Sequence, residues 1–154
     1  MSELNVRIVR LEEMRVASAL GFGTSPEMLA WEKILAWGRE KGLDLRAARY
    51  FGFNNPNPSP GSPNYGYEQW ITVGPKVRAD EGIEIKEIPG GLYAVARCQG
   101  VDNIFPTWQR LVAWLEDSPY RYGPQQCLEE CLTPPIDSSN EETALLDLYL
   151  PLAG

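Results

Sequence analysis

Glu129 and Glu130 are adjacent carboxylates on a predicted strand late in the chain, and a carboxylate can bind a cation or move a proton. The sequence contains no histidine, so a Ser-His-Asp triad, a Cys-His pair and a His-ligated zinc or haem are excluded. Acid–base chemistry therefore falls to carboxylates, tyrosine, lysine or cysteine. A pocket that keeps a buried carboxylate usually uses it to meet a cation or to move a proton. Strand alternation does not decide which glutamate faces inward, because both parities give plausible faces.

Three cysteines raise the question of a metal site, since Cys127 and Cys131 flank the glutamates and Cys98 supplies a third thiol. Thiolate zinc sites usually have Cys-x-x-Cys spacing and four ligands, and this sequence has neither. An odd number of cysteines without an export signal indicates reduced thiols that fill the core. We therefore predict no metal and no cofactor.

Aromatic residues crowd the strands of the first half and the start of the second. The set comprises Tyr50, Phe51, Phe53, Tyr65, Tyr67, Trp70 and Tyr93. Flat aromatic faces around a carboxylate suit an aromatic or cationic guest. Strand alternation sends Phe51 and Phe53 to one face and Tyr50 to the other, so about half of the set can line one pocket. Tyr67, Trp70 and Tyr93 are favoured, because their amphipathic tips suit a wet cleft.

The elements that must position these side chains occur twice in the chain. Trp31 and Trp37 recur as Trp108 and Trp114 at a common offset of 77 residues. In each copy the apolar residues first alternate, then follow a helical period, then alternate again, which predicts a β-β-α-β-β order. Each copy is expected to open with a hairpin, formed by residues 6–11 with 15–22 and by residues 83–88 with 92–99.

The remaining elements complete an α+β fold. The first helix is predicted from an N-cap at Ser25 to Gly42, and the second is expected to start near Asp102. Strands are predicted over residues 47–53, 65–73, 126–132 and 145–150, with polar loops over residues 54–63 and 133–142. We predict one domain over residues 1–154 with pseudo-symmetric β-β-α-β-β repeats at about residues 4–75 and 81–152. Mostly antiparallel sheets, a helix on one face and a central ligand cleft between the halves are expected.

Composition limits the partners and the location. Fourteen Lys and Arg against 21 Asp and Glu give a formal net charge of −7, and no basic stripe suits direct binding of nucleic acid. No apolar run has the length of a signal peptide or a membrane span. We expect a cytoplasmic protein without a membrane partner, and the sequence leaves its oligomeric state open.

Six short motifs follow one another along the chain. They are Leu11-x-x-Met14-Arg15-Val16-Ala17, the helix with Trp31 and Trp37, Tyr67-Glu68-x-Trp70-Ile71-x-Val73, Ile88-Pro89-Gly90-Gly91-x-Tyr93-Ala94-Val95, Trp108-x-x-Leu111-x-x-Trp114-Leu115 and Asp147-Leu148-Tyr149-Leu150-Pro151-Leu152. In this order the chain resembles the GyrI-like family, the effector-binding domains also found behind AraC-type and MerR-type DNA-binding modules. The first predicted strand begins within a few residues of Met1, which leaves no room for a helix-turn-helix, so we expect a stand-alone member.

The resemblance implies a site residue and three kinds of activity. In the family a Phe-Glu-x-Tyr-like element on the third strand of the second half places a glutamate in the central pocket. The segment Leu128-Glu129-Glu130-Cys131 occupies that place, with Leu and Cys instead of the two aromatic residues, so the resemblance selects Glu129. Family members are implied to bind aromatic, often cationic drugs, to inhibit DNA gyrase by protein contact, or to hydrolyse strained electrophilic compounds.

Binding of a small aromatic or hydrophobic molecule, which can carry positive charge, is the first functional hypothesis. The expected ligand contacts are Glu129, Tyr67, Trp70, Tyr93 and Tyr50. The alternative is a small-molecule hydrolase, with Glu129 as general base and Tyr93 or Tyr67 polarising the leaving oxygen. A third hypothesis is inhibition of a protein partner such as gyrase through an exposed patch.

Overall fold

The structure, a computed structural model, describes residues 4–55, 59–136 and 142–153. The elements in these ranges are β1 (Val6–Leu11), β2 (Met14–Gly23), α1 (Pro26–Glu40), β3 (Tyr50–Asn54), β4 (Tyr65–Thr72), β5 (Glu84–Ile88), β6 (Gly91–Gln99), α2 (Ile104–Glu116), β7 (Leu128–Cys131) and β8 (Leu145–Leu152), with a 3-10 turn at Val101–Asn103. Each strand pair with a described register is antiparallel, which confirms the predicted α+β class with mostly antiparallel pairing. No helix in the described ranges is long and apolar enough to cross a membrane. The predicted loops fall in part on residues 56–58 and 137–141, which lie outside the described residues.

One of two compact units, here called the middle unit, comprises Met14–Ile88. Its strands lie in the order β3, β4, β2, β5, and α1 packs against β2 and β4. The helix begins at Pro26, directly after the predicted cap residue Ser25, because proline has a helical φ and lacks only an N–H that would be unpaired there. Ala30, Ile34 and Leu35 are among the buried residues of this helix.

The other unit, here called the terminal unit, comprises the described residues up to Glu13 and from Pro89 onward. Its strands lie in the order β1, β6, β8, β7. Every second residue of β6 and β8 faces the apolar side of α2, because side chains alternate along a strand and recur about every 3.6 residues along a helix. This core comprises Ala94, Ala96, Cys98, Leu111, Leu115, Leu146, Leu148, Leu150 and Leu152.

The predicted opening hairpins are wrong, because the first two strands of each repeat pair with other strands. β1 pairs with β6 and β2 pairs with β5. Two-residue hairpin turns need positive φ, whereas no residue other than glycine has positive φ in the described chain, Glu12 and Glu13 included. Gly90 lies against this segment, since a Cβ at that position would come within 2.6 Å of the Leu11 carbonyl oxygen. The connections at residues 12–13 and 89–90 therefore lie against each other.

Candidate functional site

The sheet of the middle unit has one face under α1 and one face free of it, and the predicted aromatic residues divide between them. The ring of Tyr50 contacts Trp31 of α1, with centroids 5.4 Å apart. Alternation along the paired strands β3 and β4 puts Tyr67 on this same face. Trp70 lies on the helix-free face, where its ring meets that of Phe53 edge-on at 5.0 Å. The predicted opposite orientation of Tyr50 and Phe53 is confirmed.

Glu68 is the buried carboxylate of this helix-free face, and its side chain is only 4% exposed. Its Oε2 accepts hydrogen bonds from Ser18 Oγ at 2.7 Å, Trp70 Nε1 at 2.6 Å and Lys86 Nζ at 2.6 Å. Its Oε1 accepts a hydrogen bond from Asn55 Nδ2 at 3.0 Å. These donors come from β2, β4, β5 and the residue after β3, so the site forms only when the sheet is assembled.

The pKa of Glu68 reflects two opposing effects. Burial by itself would raise the pKa, because desolvation disfavours the charged carboxylate. Hydrogen bonds from Lys86, Trp70, Ser18 and Asn55 outweigh burial and hold the pKa of Glu68 below its ordinary value. The carboxylate is therefore ionised at neutral pH, and it is better suited to hold a positive charge than to act as a base.

A cavity of about 320 Å³ opens beside Glu68. Ser18 and Leu20 of β2 line one part of it, and another part is lined by Asp80, Gly82, Ile83, Glu84 and Lys86. Small-molecule sites typically have volumes of roughly 300–1,000 Å³. The cavity thus lies at the lower end of that range.

Glu129 lies on the face of the terminal unit's sheet that α2 covers. It is opposite Leu148 of the apolar core, and its Oε2 accepts a hydrogen bond from Trp108 Nε1 of α2 at 2.9 Å. Cys127 and Cys131 each lie two residues from Glu129, so alternation places them on the same face as Glu129. Burial raises the pKa of both thiols. The thiols are therefore protonated at neutral pH. Within the described residues, no group of three or more His, Cys, Asp or Glu side chains is arranged to hold a metal ion.

Glu130 lies on the opposite, helix-free face of the same sheet and is 5% exposed. Tyr149 Oη donates a hydrogen bond to Glu130 Oε1 at 2.7 Å. The ring of Tyr149 meets that of Tyr93 edge-on, with centroids 5.7 Å apart. Burial raises the pKa of the Tyr93 hydroxyl, which therefore stays protonated at neutral pH. This face thus combines a buried carboxylate with two tyrosines.

The predicted site residues therefore fall into different settings. Trp70 joins Glu68, and Tyr93 shares a face with Glu130. The helix-covered faces hold Glu129, Tyr50 and Tyr67. Sequence reasoning does not single out Glu68, although it stands in the motif that contains Trp70. One sequence signal could have identified it: Glu68 lies two residues before Trp70, on the same face of a strand whose other residues are mostly apolar or aromatic. A charged side chain in such a strand needs hydrogen-bond or ion-pair partners.

Comparison with known proteins finds similarity to three others, one by sequence and two by structure. Over 51 residues the chain is 45% identical to a DNA gyrase inhibitor from Escherichia fergusonii. The matched segment covers 32% of this chain and only about a third (33%) of that relative. The solved C-terminal domain of EcmrR matches with a TM-score of 0.75 and 16% identity over 97% of this chain and 98% of that domain. In the EcmrR–DNA complex the match covers 57% of the longer EcmrR chain.

A third solved structure, SAV2435 bound to tetraphenylphosphonium, matches with a TM-score of 0.57 and 11% identity over 97% of this chain and 94% of that one. At such identities the structural matches establish a shared fold. The family model of the GyrI-like small molecule binding domain matches residues 4–153, nearly the whole chain. The protein therefore belongs to the GyrI-like family of small-molecule-binding domains, as the order of its motifs suggests.

Proposed function

We propose that this protein binds small aromatic or hydrophobic molecules, cationic ones included, with Glu68 as the carboxylate that receives a positive charge. The observation that carries this proposal is the burial of an ionised carboxylate beside a cavity of about 320 Å³. Its hydrogen bonds hold the carboxylate in place before a ligand arrives. Such preorganisation lowers the ordering cost of binding.

The surroundings of Glu68 suit a ligand that is both apolar and positively charged. Trp70 is buried, donates to the carboxylate and packs on Phe53, so an aromatic pair lies next to Glu68 but outside the residues that line the cavity. Leu20 and Ile83 add apolar surface to the cavity lining. The lining carries three carboxylates, Glu68, Asp80 and Glu84, against the ammonium groups of Lys86 and of Lys41, which pairs with Asp80 from outside the lining. A cation therefore meets a favourable local field.

The comparisons support the class of ligand. Tetraphenylphosphonium, the molecule bound to SAV2435, is an aromatic monocation, and SAV2435 shares the fold of this chain. Among the residues expected from the sequence, Trp70 is the proposed aromatic contact beside Glu68. Tyr93 with Glu130 is a second proposed carboxylate–aromatic pair, and Glu129, Tyr50 and Tyr67 remain proposed contacts whose variants are tested in parallel.

Calorimetric titration with tetraphenylphosphonium and with its uncharged relative triphenylphosphine oxide tests the proposal. We expect Glu68→Gln to weaken binding of the cation by about tenfold or more, since about 1.4 kcal/mol of lost attraction corresponds to a factor of ten. Binding of the uncharged compound should change little. Glu32→Gln, on the exposed surface of α1, is the matched control and should leave both affinities unchanged.

Two results would count against Glu68. Equal affinity of wild type and Glu68→Gln for the cation would remove Glu68 from the site. A loss confined to Glu129→Gln or Glu130→Gln would transfer the role to that glutamate. Circular dichroism of every variant separates lost binding from lost folding. Mass spectrometry of each ligand after incubation also tests the hydrolase alternative, which requires a product and its loss in Glu129→Gln.

Inhibition of DNA gyrase by protein contact is a second candidate function, favoured by the match over 51 residues to a DNA gyrase inhibitor. A supercoiling assay with purified gyrase tests it directly. Inhibition that persists in Glu68→Gln would assign this activity to a surface away from the cavity. Unimpeded supercoiling at a large excess of the protein would exclude it.

A further inference from the structure

Lys86 holds its ammonium group against Glu68, the carboxylate proposed above to receive a ligand's positive charge. Its Nζ lies 2.6 Å from Glu68 Oε2 and 4.0 Å from Glu84 Oε2. The side chain of Lys86 is 35% exposed and that of Glu84 is 79% exposed, whereas that of Glu68 is 4% exposed. The ammonium group therefore stands between a buried carboxylate and one at the surface, and it lines the same cavity as both.

We propose that Lys86 is a displaceable counter-ion that determines which ligands this site accepts. In the free protein its ammonium neutralises Glu68, and an aromatic cation replaces it while Lys86 turns towards Glu84. The inference rests on the proposed function and adds to it the residue against which a ligand must compete. Only a cation that also buries apolar surface gains enough to displace a tethered ammonium, so the site should favour organic over inorganic cations.

The hydrogen bonds of Glu68 support exchange at this position. Ser18, Trp70 and Asn55 together still donate to both carboxylate oxygens when Lys86 leaves. The buried carboxylate thus keeps most of its hydrogen bonds and needs only a replacement positive charge. A ligand cation supplies that charge, so the exchange leaves the charge around Glu68 unchanged.

The position of Lys86 in the fold also favours its movement. β5 follows β2 at the end of the strand order of the middle unit, and Lys86 lies opposite Val16 in the register. Glu84 lies two residues earlier on the same face, so rotation of the four-carbon lysine stem can transfer the ammonium between the two carboxylates. No rearrangement of the backbone is needed.

Titration of Lys86→Met with tetraphenylphosphonium and triphenylphosphine oxide tests the inference. Methionine keeps an unbranched apolar stem but removes the competing charge. Because the ammonium of Lys86 no longer competes for the charged Glu68, binding of the cation should tighten on the order of tenfold. Binding of the uncharged compound should stay within about twofold. Lys76→Met, an exposed lysine outside the cavity lining, is the matched control and should match wild type.

Each outcome of this experiment supports or overturns the inference. If Lys86→Met binds the cation no more tightly than wild type while Glu68→Gln loses it, Lys86 is not a competitor and the proposed function stands. If Glu68→Gln and wild type bind the cation equally, or neither binds it, the proposed function fails and the inference fails with it. Should Lys86→Met not fold, Lys86→Arg retains the charge with a stronger fork-like contact. It should then bind the cation more weakly than wild type, and equal or tighter binding would overturn the inference.

Discussion

Replacing Ser18 with alanine isolates one hydrogen bond of the Glu68 cluster. Ser18 is buried, and its Oγ donates to Glu68 Oε2 over 2.7 Å. A hydrogen bond to a charged group contributes about 1.5–3 kcal/mol, and alanine removes a single oxygen atom without changing the strand. We therefore expect Ser18→Ala to lower the free energy of unfolding by about 2 kcal/mol at neutral pH. For a chain of this length that corresponds to a melting temperature lower by about 4–8 °C.

The effect of Ser18→Ala should depend on pH in a defined direction. The pKa of Glu68 in the folded state lies below its ordinary value of 4.5, so its ionised form stabilises the fold above that pH. This contribution is lost as the pH falls below 4.5 and through the lower folded pKa. Since Ser18 donates to the charged form, Ser18→Ala should have its full cost at pH 7 and a smaller cost at pH 3.

Urea denaturation followed by tryptophan fluorescence at both pH values measures these differences. Ser25→Ala is the matched control, because this exposed serine makes no side-chain hydrogen bond at the start of α1. Its stability should stay within about 0.5 kcal/mol of wild type. A cost of Ser18→Ala that is equally large at pH 7 and pH 3, or as small as that of Ser25→Ala, would refute the described role of Glu68.

Three further substitutions test other parts of the structure. Gly52→Ala should lower the free energy of unfolding by about 1–3 kcal/mol in chemical denaturation, because the added Cβ would collide with the buried ring of Tyr67. Tyr65→Phe should remove a tyrosine that ionises near pH 12 in an absorbance titration, since burial and a hydrogen bond to Glu27 raise the pKa of Tyr65 to about 12. The stabilisation by the protonated hydroxyl is complete below its ordinary pKa of 10.0 and is lost as the pH rises through about 12, so an unchanged titration would contradict this contact. Leu111→Ala should lower the free energy of unfolding by about 2–5 kcal/mol, because Leu111 is fully buried in the core under α2. A loss below about 1 kcal/mol would mean that this core is loosely packed.

Helices and strands were predictable where the apolar residues have a clear period or where a capping residue marks an end. Residues 26–40 combine a 3.6-residue apolar period with Pro26 after Ser25, and the helix begins at Pro26. β4 ends one residue before its predicted limit, and β8 continues two residues beyond its own. β3 starts at Tyr50 instead of residue 47, because the residues before it form a turn with hydrogen bonds from Ala47 and Ala48 to Asp44.

Strand partners were not predictable in the same way. An alternating strand such as β1 buries the same residues against β2 or β6, so its sequence does not select a neighbour. Glu12 and Glu13 argue against a tight hairpin between β1 and β2, since neither residue favours the positive φ that such a turn needs. The pattern of apolar residues outweighed that local signal in the prediction.

By itself, the sequence determined the family, the α+β class and the supply of carboxylates and aromatic rings, because composition, periodicity and motif order are properties of the chain alone. Only the tertiary structure decided which carboxylate is buried with which donors. Ser18 and Lys86 reach Glu68 from strands 50 and 18 residues away in the chain. Likewise, Glu129 and Glu130 are equivalent by alternation until α2 covers one face of their sheet. The pKa of a carboxylate depends on such neighbours and on the loss of water around it, and both exist only once the sheets have formed.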